Sequence, residues 1–164
     1  QLWERLMSLG AGLGVKPCGL GCRDTLRLEA GYLLYGSDVD MEHSSYEASC
    51  GWVVKLDKGD FIGKAHFARQ KAEGLKRKLF GVKLLERGVP RSGNAVCADG
   101  KPAGTLTSAT FSPTLNIGIG MGYLDRPDLK PGAKVTVEIH GRQVPAEVAR
   151  MPFYVSKELK NAKA

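Results

Sequence analysis

Between Leu75 and Tyr154 the chain reads as six short strand-like runs parted by turn signals: KRKLFGVKLL, NAVCADG, KPAGTLTSATF, GIGMGYL, AKVTVEIHG and RQVPAEVARM. No run of this length buries both of its faces unaided. Six of them at fairly even spacing predict a small closed or nearly closed β-barrel, or a jelly roll. ADGK and IHGRQ have the composition of hairpin turns, with Gly100 and Gly141 supplying a positive φ. The hydroxyl-rich stretch Thr105, Thr107, Ser108, Thr110, Ser112 and Thr114 leads into GIGMGY. Glycines at alternate strand positions there let another backbone or a flat ligand come close, and a tight barrel corner is the simpler of the two. In RMPFY, Pro152 takes the chain out of the barrel, with an aromatic pair in the core beside Arg150.

The first part of the chain differs in texture. Leu2, Trp3, Leu6, Leu9 and Leu13 recur at helical spacing until GVKP ends the pattern. In GLGCRDTLRLEAG, Asp24 and Thr25 suit a helix start, and Leu26, Leu28, Ala30, Leu33 and Leu34 supply apolar contacts as far as Tyr35. YGSDVDMEHSSYEAS is a loop by composition, CGWVVKL predicts a short strand, and DKGDF a turn. IGKAHFARQKAEG predicts a helix closed by Gly74. The expected fold class is α+β, with a boundary at residues 74–76 that divides 1–74 from 75–164. The tail VSKELKNAKA is charged and expected to fray.

Charge and motifs narrow the chemistry. The net charge of +7 and pI near 9.3 suit an acidic partner without selecting nucleic acid, a polyanionic ligand or an acidic protein. LKRKLFGVKLLERGVPR reads as a strand edge guarded by Lys and Arg. The aromatics of the barrel region, Phe80, Phe111, Tyr123, Phe153 and Tyr154, mostly take inward positions, which disfavours a stacking surface for nucleic acid. No apolar run approaches the roughly 20 residues that cross a bilayer. QLWERLMSLGAG has no signal-peptide pattern, lacks an initiator Met and reads as the middle of a helix, so the chain is expected to be a piece of something longer.

There is no P-loop, G-x-S-x-G, H-E-x-x-H or dinucleotide fingerprint. His43, His66 and His140 are expected at surface or packing positions. Cys18, Cys22, Cys50 and Cys97 lack the spacing of a zinc set, so no metal is expected, and all four are read as reduced thiols in small buried positions. Asp38, Asp40 and Glu42 alternate, but the Gly and closing Glu of a calcium loop are absent, which leaves solvated loop carboxylates.

Arg23 and Arg27 lie four residues apart where an apolar periodic segment begins. On a helix they share a face, near the end where backbone N–H groups already concentrate positive charge. An anion must meet them. Asp24, Glu29 or an acidic loop residue could do so from within, and most charge pairs are structural; a bound anion is the other possibility.

KPCGLGCRDTLRLEAGYLLYGSDVD, GWVVKLDKGDFIGKAHF, GTLTSATFSPTLNIGIGMGYL and RMPFY, taken together and in order, resemble the C-terminal half of the aminomethyltransferases, the T-proteins of the glycine cleavage system. The likeness runs from about Trp3 to Tyr154. R-D-T-L-R-L-E-A-G is shared with wider relatives, namely the folate-binding parts of dimethylglycine and sarcosine oxidising enzymes and a folate-binding group linked to iron–sulfur cluster assembly; GWVVKLDKGDFIGK leans toward the T-proteins. The resemblance implies that residues 1–74 end a folate-binding α+β domain and that 75–164 form the small six-stranded antiparallel β-barrel. It implies transfer of a methylene group from the aminomethyl-lipoyl arm of the H-protein to tetrahydrofolate, with release of ammonia. By the same resemblance Arg23 meets the acidic end of folate, where a guanidinium fork matches a carboxylate, and Arg27 is structural. Tyr154 and Lys157 are further folate candidates. The family's catalytic carboxylate lies N-terminal to everything in this sequence, so no catalytic residue is assigned and the chain alone is expected to be inactive. The implied compartment is the bacterial cytoplasm or the mitochondrial matrix.

Overall fold

A computed structural model describes residues 1–156. Three α-helices, α1 (Leu2–Gly10), α2 (Leu20–Glu29) and α3 (Lys64–Glu73), precede six strands. The strands are β1 (Lys78–Leu84), β2 (Ala95–Ala98), β3 (Lys101–Ser112), β4 (Ile117–Leu124), β5 (Lys134–Ile139) and β6 (Arg142–Ala149). Each coincides with one of the six expected runs, β3 extending one residue past its run to Ser112 and β4 starting one residue before its run at Ile117. All neighbours are antiparallel, and the order β1-β4-β3-β2-β5-β6 closes on itself through β6 and β1. Closure leaves no open sheet edge.

The two hairpin turns have positive φ at both central residues: Asp99 and Gly100 between β2 and β3, His140 and Gly141 between β5 and β6. Paired positive φ values give the reversal a twist that matches the flanking strands. Alternation then fills the interior. Val82, Leu84, Val96, Leu106, Leu124, Val137 and Val148 are buried together inside the barrel. β4 is buried on both faces. Its Ile119, Met121 and Tyr123 point outward and pack with Leu28 of α2 and Leu79 of β1, and Leu33, Met151 and Phe153 pack against that cluster.

The intervening β4 positions are Gly118, Gly120 and Gly122, where the barrel leaves no room. A Cβ at Gly122 would lie 2.1 Å from the Thr105 carbonyl oxygen, and one at Gly118 would lie 2.6 Å from Leu84 Cδ1 and Pro90 Cδ. The glycine-dense run is therefore a close approach of backbones. Beside it, β3 bulges: Leu106 pairs with Gly122 and Ser108 with Met121, which leaves Thr107 as the extra residue. A bulge re-aims the side chains around it, and this one decides the seam described below.

Residues 1–74 depart from the sequence reading in several places. α2 starts at Leu20 with Gly19 as N-cap and ends at Glu29, with Gly31 at φ 71 just beyond. Asp24 and Thr25 thus lie inside the helix, and Leu33 and Leu34 lie after it. CGWVVKL is not a strand: Gly51–Val53 form a 3-10 turn, and among the described residues the segment pairs with no strand. The apolar stripe of α1 faces outward, with Leu2, Trp3, Leu6 and Leu9 each more than half exposed. Cys18 and Cys22 are exposed, and Cys50 and Cys97 only half-buried, against the expectation of buried thiols; all four are free. α3 ends as expected, with Gly74 at φ 82. Among the described residues no helix is long and apolar enough to cross a membrane, and no group of three or more His, Cys, Asp or Glu side chains could hold a metal ion.

Candidate functional site

The two arginines of α2 have opposite surroundings. Arg27 lies in the last turn, where a cation meets the negative end of the helix dipole. Its side chain is 11% exposed and its donors are taken up. Nε donates to Asp24 (2.7 Å), Nη1 to Asp38 (2.6 Å) and to the Tyr32 carbonyl (3.3 Å), and Nη2 to Ser108 Oγ (2.7 Å).

Asp38 is fully buried, which corrects its reading as a solvated loop carboxylate. Besides Arg27 it accepts the Leu34 N–H (2.9 Å) and the hydroxyl of the bulged Thr107 (2.5 Å). The Tyr123 hydroxyl donates to its backbone oxygen (2.8 Å). Burial is the main cause that holds the Tyr123 phenol well above its ordinary value, and the nearby Glu47 charge adds to it.

A second buried acid lies beside this cluster. Glu29 closes α2 and accepts from the Ser112 and Thr114 hydroxyls of the β3–β4 turn. The hydroxyl-rich strand therefore serves as a seam: Thr107 and Ser108 take the Arg27–Asp38 pair, Ser112 and Thr114 take Glu29. Satisfied polar groups of this kind fix one geometry, because each would be costly to bury alone.

Arg23 is exposed. Among the described residues no carboxylate pairs with it. It borders two grooves. One, of about 460 Å³, runs past Asp24, Arg27 and Leu34 to the hydroxyls of Ser37, Ser92, Thr107 and Ser108. The other, of about 420 Å³, passes Cys18, Cys22, Leu26 and Tyr32. A guanidinium with five donors and, among the described residues, no acceptor, rooted on a helix that the seam holds in place, can receive a carboxylate in a fork.

The other candidates stand elsewhere. Tyr154 is 44% exposed and borders neither groove; its N–H donates to the Glu29 carbonyl (3.0 Å), at the far end of α2 from Arg23. The six residues from Arg23 to Glu29 amount to about 9 Å of helix rise. Lys157 lies outside the described residues.

His43 packs: its ring stacks on Tyr123 at 4.0 Å between centroids, and its Nδ1 shares a hydrogen bond with Asp40 (2.6 Å). The Glu42 N–H, followed by His43, holds the Asp40 carboxyl below its usual range. His66 meets Phe67 edge-on, and His140 sits in its turn. Asp38, Thr107, Ser108 and Glu29 carried no local sign of their role, since their partners lie far along the chain.

Residues 77–154 match the family model described as the glycine cleavage T-protein C-terminal barrel domain, and residues 1–58 match that of the GCVT N-terminal domain. The chain belongs to the glycine cleavage T-protein family. An aminomethyltransferase of Halothermothrix orenii is 48% identical over 153 residues, which are 93% of this chain and 43% of the relative. A probable aminomethyltransferase of Pyrococcus horikoshii is 43% identical over an alignment 168 positions long that covers 96% of this chain and 42% of the relative. The crystal structure of the glycine cleavage system aminomethyltransferase T from Bartonella henselae superposes with a TM-score of 0.83 at 30% identity, covering 93% of this chain and 43% of that one. The chain thus spans less than half the length of the T-protein relatives it matches. The six-stranded antiparallel barrel with its preceding helices is the T-protein C-terminal architecture.

Proposed function

We propose that this chain is the folate-tail-binding and barrel portion of an aminomethyltransferase. The longer protein takes the aminomethyl group from the lipoyl arm of an H-protein, passes its methylene to tetrahydrofolate, and releases ammonia. Residues 1–74 are the end of the folate-binding domain and 75–164 the barrel domain. Arg23 grips a carboxylate of the folate glutamate tail, Tyr154 and Lys157 are the further residues assigned to folate by the family resemblance, and Arg27 holds the helix that carries Arg23. The enzyme works in the bacterial cytoplasm or the mitochondrial matrix. Folate is its substrate, and its chemistry calls for no metal.

The observation that carries this reading is the contrast on α2: four residues apart, one guanidinium is saturated by Asp24, Asp38 and Ser108, while the other is exposed at the edge of an open groove and, among the described residues, pairs with no carboxylate, the Asp24 of that groove being taken by Arg27. An unpaired arginine on a braced helix is fitted to a partner that arrives from outside. No side chain here is assigned to protonate the leaving amine, so residues 1–164 alone release no ammonia.

The test is steady-state kinetics of the longer enzyme with Arg23→Ala. A charged hydrogen bond is worth about 1.5–3 kcal/mol, which predicts a rise of about 10- to 150-fold in KM for tetrahydrofolate. KM for the lipoylated carrier should not move. An unchanged folate KM, or equal losses for both substrates, would remove Arg23 from the site.

A further inference from the structure

Arg23 stands on a crest of α2 between two unlike grooves. At about 3.6 residues per turn, Asp24 falls on one side of it and Cys22 and Leu26 on the other. The groove on the first side carries hydroxyls and a carboxylate that Arg27 already holds. The other side presents hydrocarbon. Leu26 is 58% exposed and Tyr32 70%, and both border the groove of about 420 Å³ together with Arg23. That groove offers a cation beside one aromatic and one aliphatic wall.

The backbone of Tyr32 is fixed in place. The chain turns back to it through Gly31, at φ 71, where a Cβ would stand 3.0 Å from Met151 Cβ. The Tyr32 N–H then donates to the Arg27 carbonyl (2.8 Å), and its carbonyl accepts Arg27 Nη1 (3.3 Å). The residue that seats α2 against the barrel thus also sets where Tyr32 stands relative to Arg23. The ring itself is left over: among the described residues no other ring stacks on it and no cation lies over it. A tyrosine on a fixed backbone offers a large contact area at low cost in side-chain entropy.

We propose that Tyr32, with Leu26, is the stacking wall for the aryl ring of the ligand whose carboxylate Arg23 receives, so that this groove selects an aroylglutamate over a bare glutamate. The inference rests on the folate reading of Arg23. In folate a single amide joins the glutamate to the p-aminobenzoyl ring, so a tail carboxylate seated at Arg23 keeps that ring within a few bonds of the helix. Of the two grooves that meet at Arg23, only the one with Tyr32 offers an aromatic face; the other offers Asp24, Ser37, Ser92 and Ser108. Covering Leu26 and Tyr32 removes two exposed apolar side chains from water, and an offset stack of the two rings adds to that gain. The role is one of binding. No proton transfer is assigned to the Tyr32 hydroxyl.

Steady-state kinetics of the longer enzyme with tetrahydrofolate and with tetrahydropteroate, which keeps the ring and lacks the glutamate, test it. Tyr32→Ala should raise KM for both compounds by about 5- to 150-fold, the range for flat rings stacked on protein aromatics. It should leave kcat, KM for the lipoylated carrier and the urea midpoint unchanged. Tyr32→Phe should match the parent, because the ring and not the hydroxyl is used. Arg23→Ala should raise KM for tetrahydrofolate alone. If Arg23→Ala moves neither KM, the tail reading falls and this proposal falls with it. If Arg23→Ala moves only tetrahydrofolate while Tyr32→Ala moves neither compound, the tail reading stands and the stacking wall is overturned. A loss in Tyr32→Phe equal to that in Tyr32→Ala, an equal rise in KM for the carrier, or a lowered urea midpoint would each overturn it as well.

Discussion

Arg27 Nη1 and Asp38 Oδ2 meet at 2.6 Å, and the aspartate has no exposed surface. Their meeting joins the last turn of α2 to the loop after it, and Thr107 and Ser108 fasten both to the barrel. Removing one member of a buried pair strands the other. Asp38→Ala should therefore cost about 3–5 kcal/mol, seen as a lower urea midpoint with an unchanged slope. A double-mutant cycle with Arg27→Met should return a coupling above the about 0–1 kcal/mol typical of surface pairs. Additive losses would show that the two side chains act separately.

Arg23 should behave in the opposite way. With no partner to lose among the described residues, Arg23→Ala should leave the unfolding free energy within about 0.5 kcal/mol of the parent. Arg27→Ala should cost several times that, because Asp38 is then left buried and unpaired. Thermal or urea unfolding of the two variants side by side gives the comparison. A large loss in Arg23→Ala would mean that it braces the fold.

Two glycine substitutions should move stability in opposite directions. Gly122→Ala places a Cβ 2.1 Å from a backbone oxygen that cannot swing aside, so a loss of about 3 kcal/mol or more is expected. Gly21 lies inside α2 with nothing within 4 Å of the added atom. There Gly21→Ala should gain up to about 1 kcal/mol from helix propensity. Unfolding midpoints decide both signs.

Acid should find Glu47. Burial alone would raise its pKa, but the Ser44 N–H and the Arg77 guanidinium, at 3.0 Å, outweigh it and hold the carboxyl below the usual range. The unfolded chain then binds this proton at a higher pH, near about 4.3, than the folded one does. Its contribution is complete above the unfolded value and disappears as the pH falls through the depressed folded value. Glu47→Gln should flatten the stability profile in that acid window and leave its shape near neutrality unchanged. Equal acid slopes for the two proteins would contradict the assignment.

The barrel was legible because its signals are local. Alternation in KVTVEI and the ADGK and IHGRQ turns depend on residues a few positions apart. The front of the chain was harder to read because its conformation is decided at a distance. Asp38 in a polar, acidic stretch has the composition of a solvated carboxylate; its burial is completed by Thr107 and Tyr123, on strands 69 and 85 residues later. CGWVVKL has strand composition but, among the described residues, pairs with no strand. The start of α2 was displaced because Gly19 caps it without a side-chain hydrogen bond, whereas Asp24 and Thr25 carry the polar sign of a cap and sit inside the helix. Of the candidate site, the sequence marked Arg23 and Arg27. It could not tell which of them was saturated, since that turns on Ser108 and Asp38.

The anchoring of Glu29 bears on how this chain comes into being. Its acceptor oxygens wait for Ser112, which a ribosome adds 83 residues later. Until then the acid lacks the hydroxyls that take its charge in the folded chain. Within these residues α2 is thus made well before the strands that complete it, and its final seat is fixed only once the barrel has been synthesised.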